Sequence, residues 1–426
     1  MELGYIALTF LAVLGALVLV HKSQSDRTSR LLRMSESPTP SLSEPPKNYR
    51  VFTLGASGAG KTCFMASLYN RLKSTSVDTG FYLKVSPQQH AKLTGLYNEI
   101  TNPSEGWPPG TVTEREWQFC TFVPATQGNV SFRAFDFTYL DYAGGHLKDS
   151  QQANALDAHR RIAEADTVLV LLDGHKILRR LLRAEHETVN PNERLGADLN
   201  FLIPYLNDAH SKPVHVVVSK WDILEGSFTL AQVRDCLMQY REFANFIAWR
   251  AHRGTPTRLI PVSAVGSGFA SLGADGMMTK DPQIVPNPLH IEISMAATMS
   301  DLFEAAAVQL GAQQVELLHR VAWGQPEPQA SKWLWTGASN LLSHLPYPAS
   351  MLTVVAPVLR DLLAARRKTP AELSREFFKS LQEVRNKETA IQTVLASHRR
   401  SMRLFELQYP ESVLVPGLAA PLQFAG

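Results

Sequence analysis

The chain has 426 residues, 45% of them hydrophobic and 19% charged, with a formal net charge of +3. That composition excludes a disordered chain, and so small a charge gives no ground for expecting a nucleic-acid partner. Cys63, Cys120 and Cys236 are well separated and lack C-x-x-C spacing, which argues against a disulfide framework or a zinc site and suits a reducing compartment.

Leu3 to Val20 is eighteen residues without a charge, which as a helix would span about 27 Å, close to the hydrocarbon thickness of a bilayer. Only Glu2 precedes it, where a cleaved signal peptide would carry Lys or Arg, and the positive charges follow at Lys22, Arg27, Arg30 and Arg33. The expectation is a single-pass anchor over 3–20, with the N-terminus outside and the rest of the chain cytoplasmic. A buried soluble helix is the alternative. Residues 21–47, with the run S-E-S-P-T-P-S-L-S-E-P-P-K, read as a disordered, extended tether.

Strand-like runs then alternate with helical segments. Val51–Leu54 reads as a strand and Gly60–Lys73 as a helix. Glu116–Val123 and Val130–Leu140 read as a hairpin turning at Thr126-Gln127-Gly128-Asn129. A helix over Asp149–Ala163, a buried strand over Thr167–Leu172 and a helix over Leu195–His210 follow. Next come a strand over Val214–Val218, a helix over Leu230–His252, a strand over Arg258–Val262 and a closing helix over His290–Val321. This predicts an α/β fold with a mostly parallel sheet, helices on both faces and one antiparallel hairpin strand. The domain carrying it is placed at 48–322, and 323–426 is read as a helical C-terminal extension. In that extension three tryptophans lie within Trp323–Trp335, Met351–Leu363 is apolar, Arg366-Arg367-Lys368 is basic and Ala371–Leu407 is a charged amphipathic helix. Met351–Leu363 is too short to span a bilayer and reads as a helix lying on the domain or a partner, with a membrane-surface contact as the alternative.

The most informative string is G-A-S-G-A-G-K-T, Gly55 to Thr62, between the first strand and the first helix. Gly55, Ser57, Gly58, Ala59 and Gly60 form a loop whose backbone N–H groups can converge on one anion, reinforced by the helix's positive end. Lys61 can reach the β- and γ-phosphates, the Thr62 hydroxyl can bind Mg²⁺, and Cys63 is counted with them among the nucleotide-binding residues. A nucleoside triphosphate is the implied ligand. Further on, Asp141-Tyr142-Ala143-Gly144-Gly145 ends a strand. Asp141 can hold the Mg²⁺ water shell, and Gly144 can offer its N–H to the γ-phosphate. Ser219-Lys220-Trp221-Asp222 resembles the guanine-reading motif [N/T]-K-x-D, in which the Asp takes the N1–H and N2–H₂ edge of guanine. Ser219 stands where Asn or Thr is usual. Ser263-Ala264-Val265 resembles the short loop whose backbone meets guanine O6.

With these four motifs in order, Arg50 to about Leu310 resembles a P-loop GTPase of the translation-factor-related class. G-A-S-G-A-G-K-T-C-F-M-A-S-L-Y and Trp107-Pro108-Pro109-Gly110-Thr111 further resemble the bacterial double-GTPase families associated with conflict systems. An anchored domain behind one helix is also similar, in architecture alone, to the beta subunit of the signal-recognition-particle receptor. The resemblance implies GTP or GDP with Mg²⁺ as ligands, a bacterial inner membrane as location, and a protein partner such as a second GTPase or a GTPase-activating protein. It also implies a first-switch threonine. Thr111, after the glycine, is preferred over Thr113. Where small GTPases place a water-orienting Gln, this chain has Gly145. His146 could orient the water from the next position, or be an ordinary exposed histidine. The expected activity is slow GTP hydrolysis in a membrane-anchored switch. A nucleotide-holding scaffold is the alternative, and an ATPase motor is disfavoured because Asp222 has no use in reading adenine.

Overall fold

The computed structural model describes residues 48–109, 114–142, 152–182, 194–273, 278–304 and 368–416. The expected anchor, the tether, Thr111, Thr113, Gly144, Gly145, His146, Trp323–Trp335 and Met351–Leu363 lie outside the described residues. Among the described residues no helix is long and apolar enough to cross a membrane.

The centre is an eight-stranded sheet. Its strands are β1 (Asn48–Gly55), β2 (Tyr82–Lys84), β3 (Arg115–Pro124), β4 (Ser131–Asp141), β5 (Thr167–Asp173), β6 (Val214–Ser219), β7 (Thr257–Pro261) and β10 (Val413–Val415). The order across the sheet is β10-β7-β6-β5-β1-β4-β3-β2. The run β7-β6-β5-β1-β4 is parallel. The expected β3–β4 hairpin is present, but it is not the sole antiparallel element, because β2 and β10 also pair antiparallel at the two edges. Both added strands are three residues long, too short for a period-two pattern to announce them. A small separate ladder joins β8 (Ala270–Leu272) to β9 (Met278–Lys280).

The fully apolar strands are explained by burial on both faces. In β5, Leu169 and Leu171 enter one core while Val168, Val170 and Leu172 enter the other. The first core receives Phe64, Met65 and Leu68 from α1 (Lys61–Leu72) and Leu93 from α2 (Pro87–Thr101). It also takes Met295 and Met299 from α8 (293–304). The opposite core is covered by α3 (Gln152–Glu164), α4 (Gly174–Leu181), α5 (Leu195–Leu206), α6 (Leu230–Met238) and α7 (Arg241–Arg253).

Two long helices expected from the sequence are each divided in the structure. Leu230–His252 breaks at Tyr240, whose ψ of 117° leaves the helical region. The Tyr240 ring packs against Gly196 of α5, so a tertiary contact overrides local propensity. Ala371–Leu407 becomes α9 (Pro370–Leu381) and α10 (Lys387–Gln408). Each starts with a reciprocal capping box, Thr369 with Glu372 and Asn386 with Thr389.

The boundary expected at 323 does not separate two cores. Ala390, Ile391, Val394, Leu395, Met402 and Phe405 of α10 share a core with Tyr49, Phe135 and Phe137 of the sheet. The strand β10 extends the sheet beside β7. Residues 384–415 therefore complete the core and the edge of the sheet.

Candidate functional site

Strand β1 lies between β4 and β5, and the helices that follow β1 and β4 cover opposite faces. This reversal opens a crevice at the carboxyl ends of the parallel strands, the place where such sheets hold ligands. Gly55 ends β1 there. Gly58 and Gly60 have φ of 83° and 82°, the left-handed region where glycine is unstrained and which a loop needs if its N–H groups are to converge on one anion. A Cβ on Gly58 would meet nothing within 4 Å, so the crest of the loop is open. Gly55 is required for another reason: a Cβ there would press on the Leu171 carbonyl oxygen of β5 at 2.9 Å.

Lys61 is buried and donates to the carbonyl oxygens of Gly55 at 2.7 Å and Ala56 at 3.2 Å, folded back on its own loop. Burial lowers its pKa, opposed by the charges of Asp141 and then Asp198. Thr62 is buried beside it, and Asp141 is fully buried at the tip of β4, in register with Thr53 of β1. Lys61, Thr62 and Asp141 thus stand at one end of the sheet. Mg²⁺ fits this arrangement when phosphate oxygens supply most of its shell, since a hard cation takes oxygen donors and here finds one hydroxyl and one carboxylate. Burial pushes the Cys63 thiol up to about 11, which leaves it an inert packing group rather than a nucleophile.

The base-reading motifs adjoin this loop. A Cβ placed on Gly60 would lie 3.9 Å from Ser219, so the end of β6 touches the phosphate loop. Ser219 donates to Leu172 O at 3.0 Å. Lys220 adopts φ 52°, which turns the chain sharply into the short helix Trp221–Ile223. Asp222 is half-buried and accepts a hydrogen bond from Ser263, joining the two guanine-reading loops. Desolvation raises its pKa, and its Oδ2 is buried without a hydrogen-bond partner. Such an oxygen calls for a donor, and the N–H edge of a guanine fits it. Ser263 also accepts from Gly266 N at 2.7 Å, which closes the turn, and Ser67 of α1 donates to Ala264 O at 2.7 Å. Ala264 and Val265 are thereby fixed against the phosphate-binding helix.

Two neighbouring features were not read from the sequence. Asp173-Gly174, at the tip of β5, contacts the Ser219-Lys220 turn. The signal was available, because a carboxylate followed by glycine ends an apolar strand just as Asp141 ends β4. The β8–β9 ladder holds the other, since Trp107 Nε1 donates to Met278 O at 2.7 Å. The Lys280 ammonium lies over the Trp107 ring at 4.8 Å and bonds the carbonyls of Glu99, Asn102 and Gly106. This contact pins the start of the Trp107–Thr111 segment.

A parallel sheet with a phosphate loop at its reversal point and a buried carboxylate at the tip of β4 defines a P-loop nucleotide-binding domain of the GTPase plan. The family model described as Double-GTPase 2 matches residues 51–242, and over this segment the chain is similar to that family. No curated protein matches the chain. Among solved structures, it is similar to the signal recognition particle receptor SRb-GTP/SRX complex from Chaetomium thermophilum. That match has 15% identity and a TM-score of 0.30, covering 52% of this chain and 92% of that one. It is also similar to a bacterial selenocysteine-specific elongation factor, EF-Sec, at 14% identity and a TM-score of 0.24, covering 52% of this chain and 26% of that one. The Double-GTPase 2 match supports a GTP-binding protein; the two structural likenesses, at TM-scores of 0.30 and 0.24, bear on nothing further.

Proposed function

We infer that the protein is a membrane-anchored, slow GTPase that acts as a nucleotide-dependent switch for a protein partner. The observation that best supports guanine as the ligand is Asp222, whose buried Oδ2 has no hydrogen-bond partner and whose carboxylate accepts from Ser263; it lies just after Ser219, which touches the phosphate loop. In this reading the guanine edge satisfies that oxygen, and the Lys220 stem lies along the base. The Gly58–Gly60 loop takes the phosphates, and Lys61 swings from the Gly55 and Ala56 carbonyls to the β- and γ-oxygens. Thr62 and Asp141 would hold Mg²⁺, which would offset charge on the transferring phosphoryl group. Water is the acceptor, and His146 is the proposed group that orients it, with Thr111 and Gly144 sensing the γ-phosphate. Because Gly145 has no side chain, hydrolysis is expected to be slow. An arginine from a partner would raise it by about 10³–10⁵. The uncharged stretch Leu3–Val20 supports the anchoring. The same Gly145 also supports a second reading, a scaffold that holds nucleotide without turnover. Phosphate release by the full-length chain, measured with and without co-purifying membrane proteins, separates the two.

The base assignment has its own test. Asp222→Asn replaces an acceptor with an amide that can donate to a 2-oxo group. It should lower GTP affinity about 100-fold and raise that for xanthosine triphosphate, because a buried polar group is left mismatched in one case and paired in the other. Competition against a fluorescent guanine nucleotide reads both. Unchanged GTP affinity would remove Asp222 from the site.

A further inference from the structure

We propose that Asp173 is a positioning residue of the guanine-reading site, acting through Lys220; this rests on the reading above. Asp173 and Ser219 are the last residues of β5 and β6 and are in register. The Asp173 carboxylate takes the Lys220 ammonium at 2.9 Å through Oδ1 and 3.0 Å through Oδ2, while Oδ1 also accepts from His175 N at 3.0 Å. The carboxylate is therefore locked by the first turn of α4 before it meets the lysine. Gly174 supplies the steric counterpart, because a Cβ there would collide with the Ser219 carbonyl oxygen and stand 3.0 Å from that of Lys220. The two residues form a socket that seats the Ser219-Lys220 turn at its left-handed φ of 52°.

The chemical consequence concerns where the lysine's charge goes. A long ammonium side chain beside a phosphate site has every electrostatic reason to turn toward the phosphates. Held by Asp173, it instead keeps its ammonium at the tip of β5, which leaves the methylene stem as a fixed wall. Asp173 thus assigns Lys61 to the phosphates and Lys220 to the base. The specificity of the pocket depends on that division, since a mobile Lys220 would bind any triphosphate by charge alone.

The test uses the full-length chain and titrates GTP and ATP against a fluorescent nucleotide. Asp173→Ser keeps a helix-capping hydroxyl but is too short to reach Lys220, and Asp173→Asn keeps the shape without the charge. Both should weaken GTP binding about tenfold, the loss of one charge-assisted pair, and narrow the GTP-to-ATP preference. In a Lys220→Met background, Asp173→Ser should have no further effect, because coupled partners are not additive. Parent-like GTP binding in Asp173→Ser and Asp173→Asn would overturn the proposal. So would an undiminished loss in the Lys220→Met background, which would mean that Asp173 merely caps α4. If Asp222→Asn abolishes guanine preference while Asp173→Ser does not, only this inference fails. If the parent chain shows no guanine preference, both it and the reading beneath it fail.

Discussion

Lys61→Ala should lower GTP and GDP affinity by at least about 100-fold, the largest effect of any single substitution in the pocket. A charge-assisted contact to phosphate, out of bulk water, is worth several times an exposed one. Here the ammonium is buried at the root of the loop, with the Asp141 carboxylate as its leading electrostatic neighbour. Removing it deletes the cation the phosphates would meet while the Asp141 carboxylate stays. The substitution also deletes bonds to Gly55 O and Ala56 O, so folding must be checked by circular dichroism alongside titration. A folded Lys61→Ala protein with unchanged nucleotide affinity would refute the cradle.

The second large effect lies away from the pocket. Asp301 of α8 is fully buried and takes Arg258 of β7 through both carboxylate oxygens, at 2.6 to 2.9 Å, and His215 of β6 at 2.9 Å. Arg258 in turn reaches Glu406 of α10 at 2.6 Å. The network ties two central strands to a helix on the first core and to the C-terminal segment. His215 donates through Nε2 and is held neutral by burial, consistent with a buried Nδ1 that has no partner. Asp301→Ala would leave the buried Arg258 guanidinium with Glu406 alone, and losing one partner of a buried pair costs about 3–5 kcal/mol. Urea unfolding at pH 7 should show that loss. The Asp301 carboxyl is held at about 2, below its ordinary 3.8, by Arg258 and His215 against the cost of burial. A depressed carboxyl contributes stability that is present above its unfolded pKa and lost as pH falls through the folded one. The difference between parent and Asp301→Ala should therefore be full above pH 4 and shrink from there toward pH 2. A loss below about 1 kcal/mol at pH 7 would mean the buried charges are already compensated by other groups.

The pocket was legible from the sequence largely because its parts are local. A phosphate loop is a string of backbone geometries, and Gly58 and Gly60 announce those geometries directly. Asp141, Ser219 and Ser263 are legible as candidates because each follows a short apolar run that reads as a strand. What failed was non-local. Nothing in Leu230–His252 shows that Tyr240 must face Gly196 across the sheet's covering layer. The partnership of Val413–Val415 with β7 joins segments more than a hundred and fifty residues apart in sequence, and no local pattern encodes it. The Asn386–Thr389 cap, by contrast, is a local signal that divides the last helix in the way capping rules describe. No single motif marks Asp173, because its role arises from Lys220 at the end of the neighbouring strand.

Whether these strand tips make one pocket selective for guanine is decided by competition on the full-length chain. GTP should displace a fluorescent guanine nucleotide at concentrations at least a hundredfold below those at which ATP does, because only guanine offers a donor pair to Asp222. Displacement by ATP and GTP at equal concentrations would contradict the account.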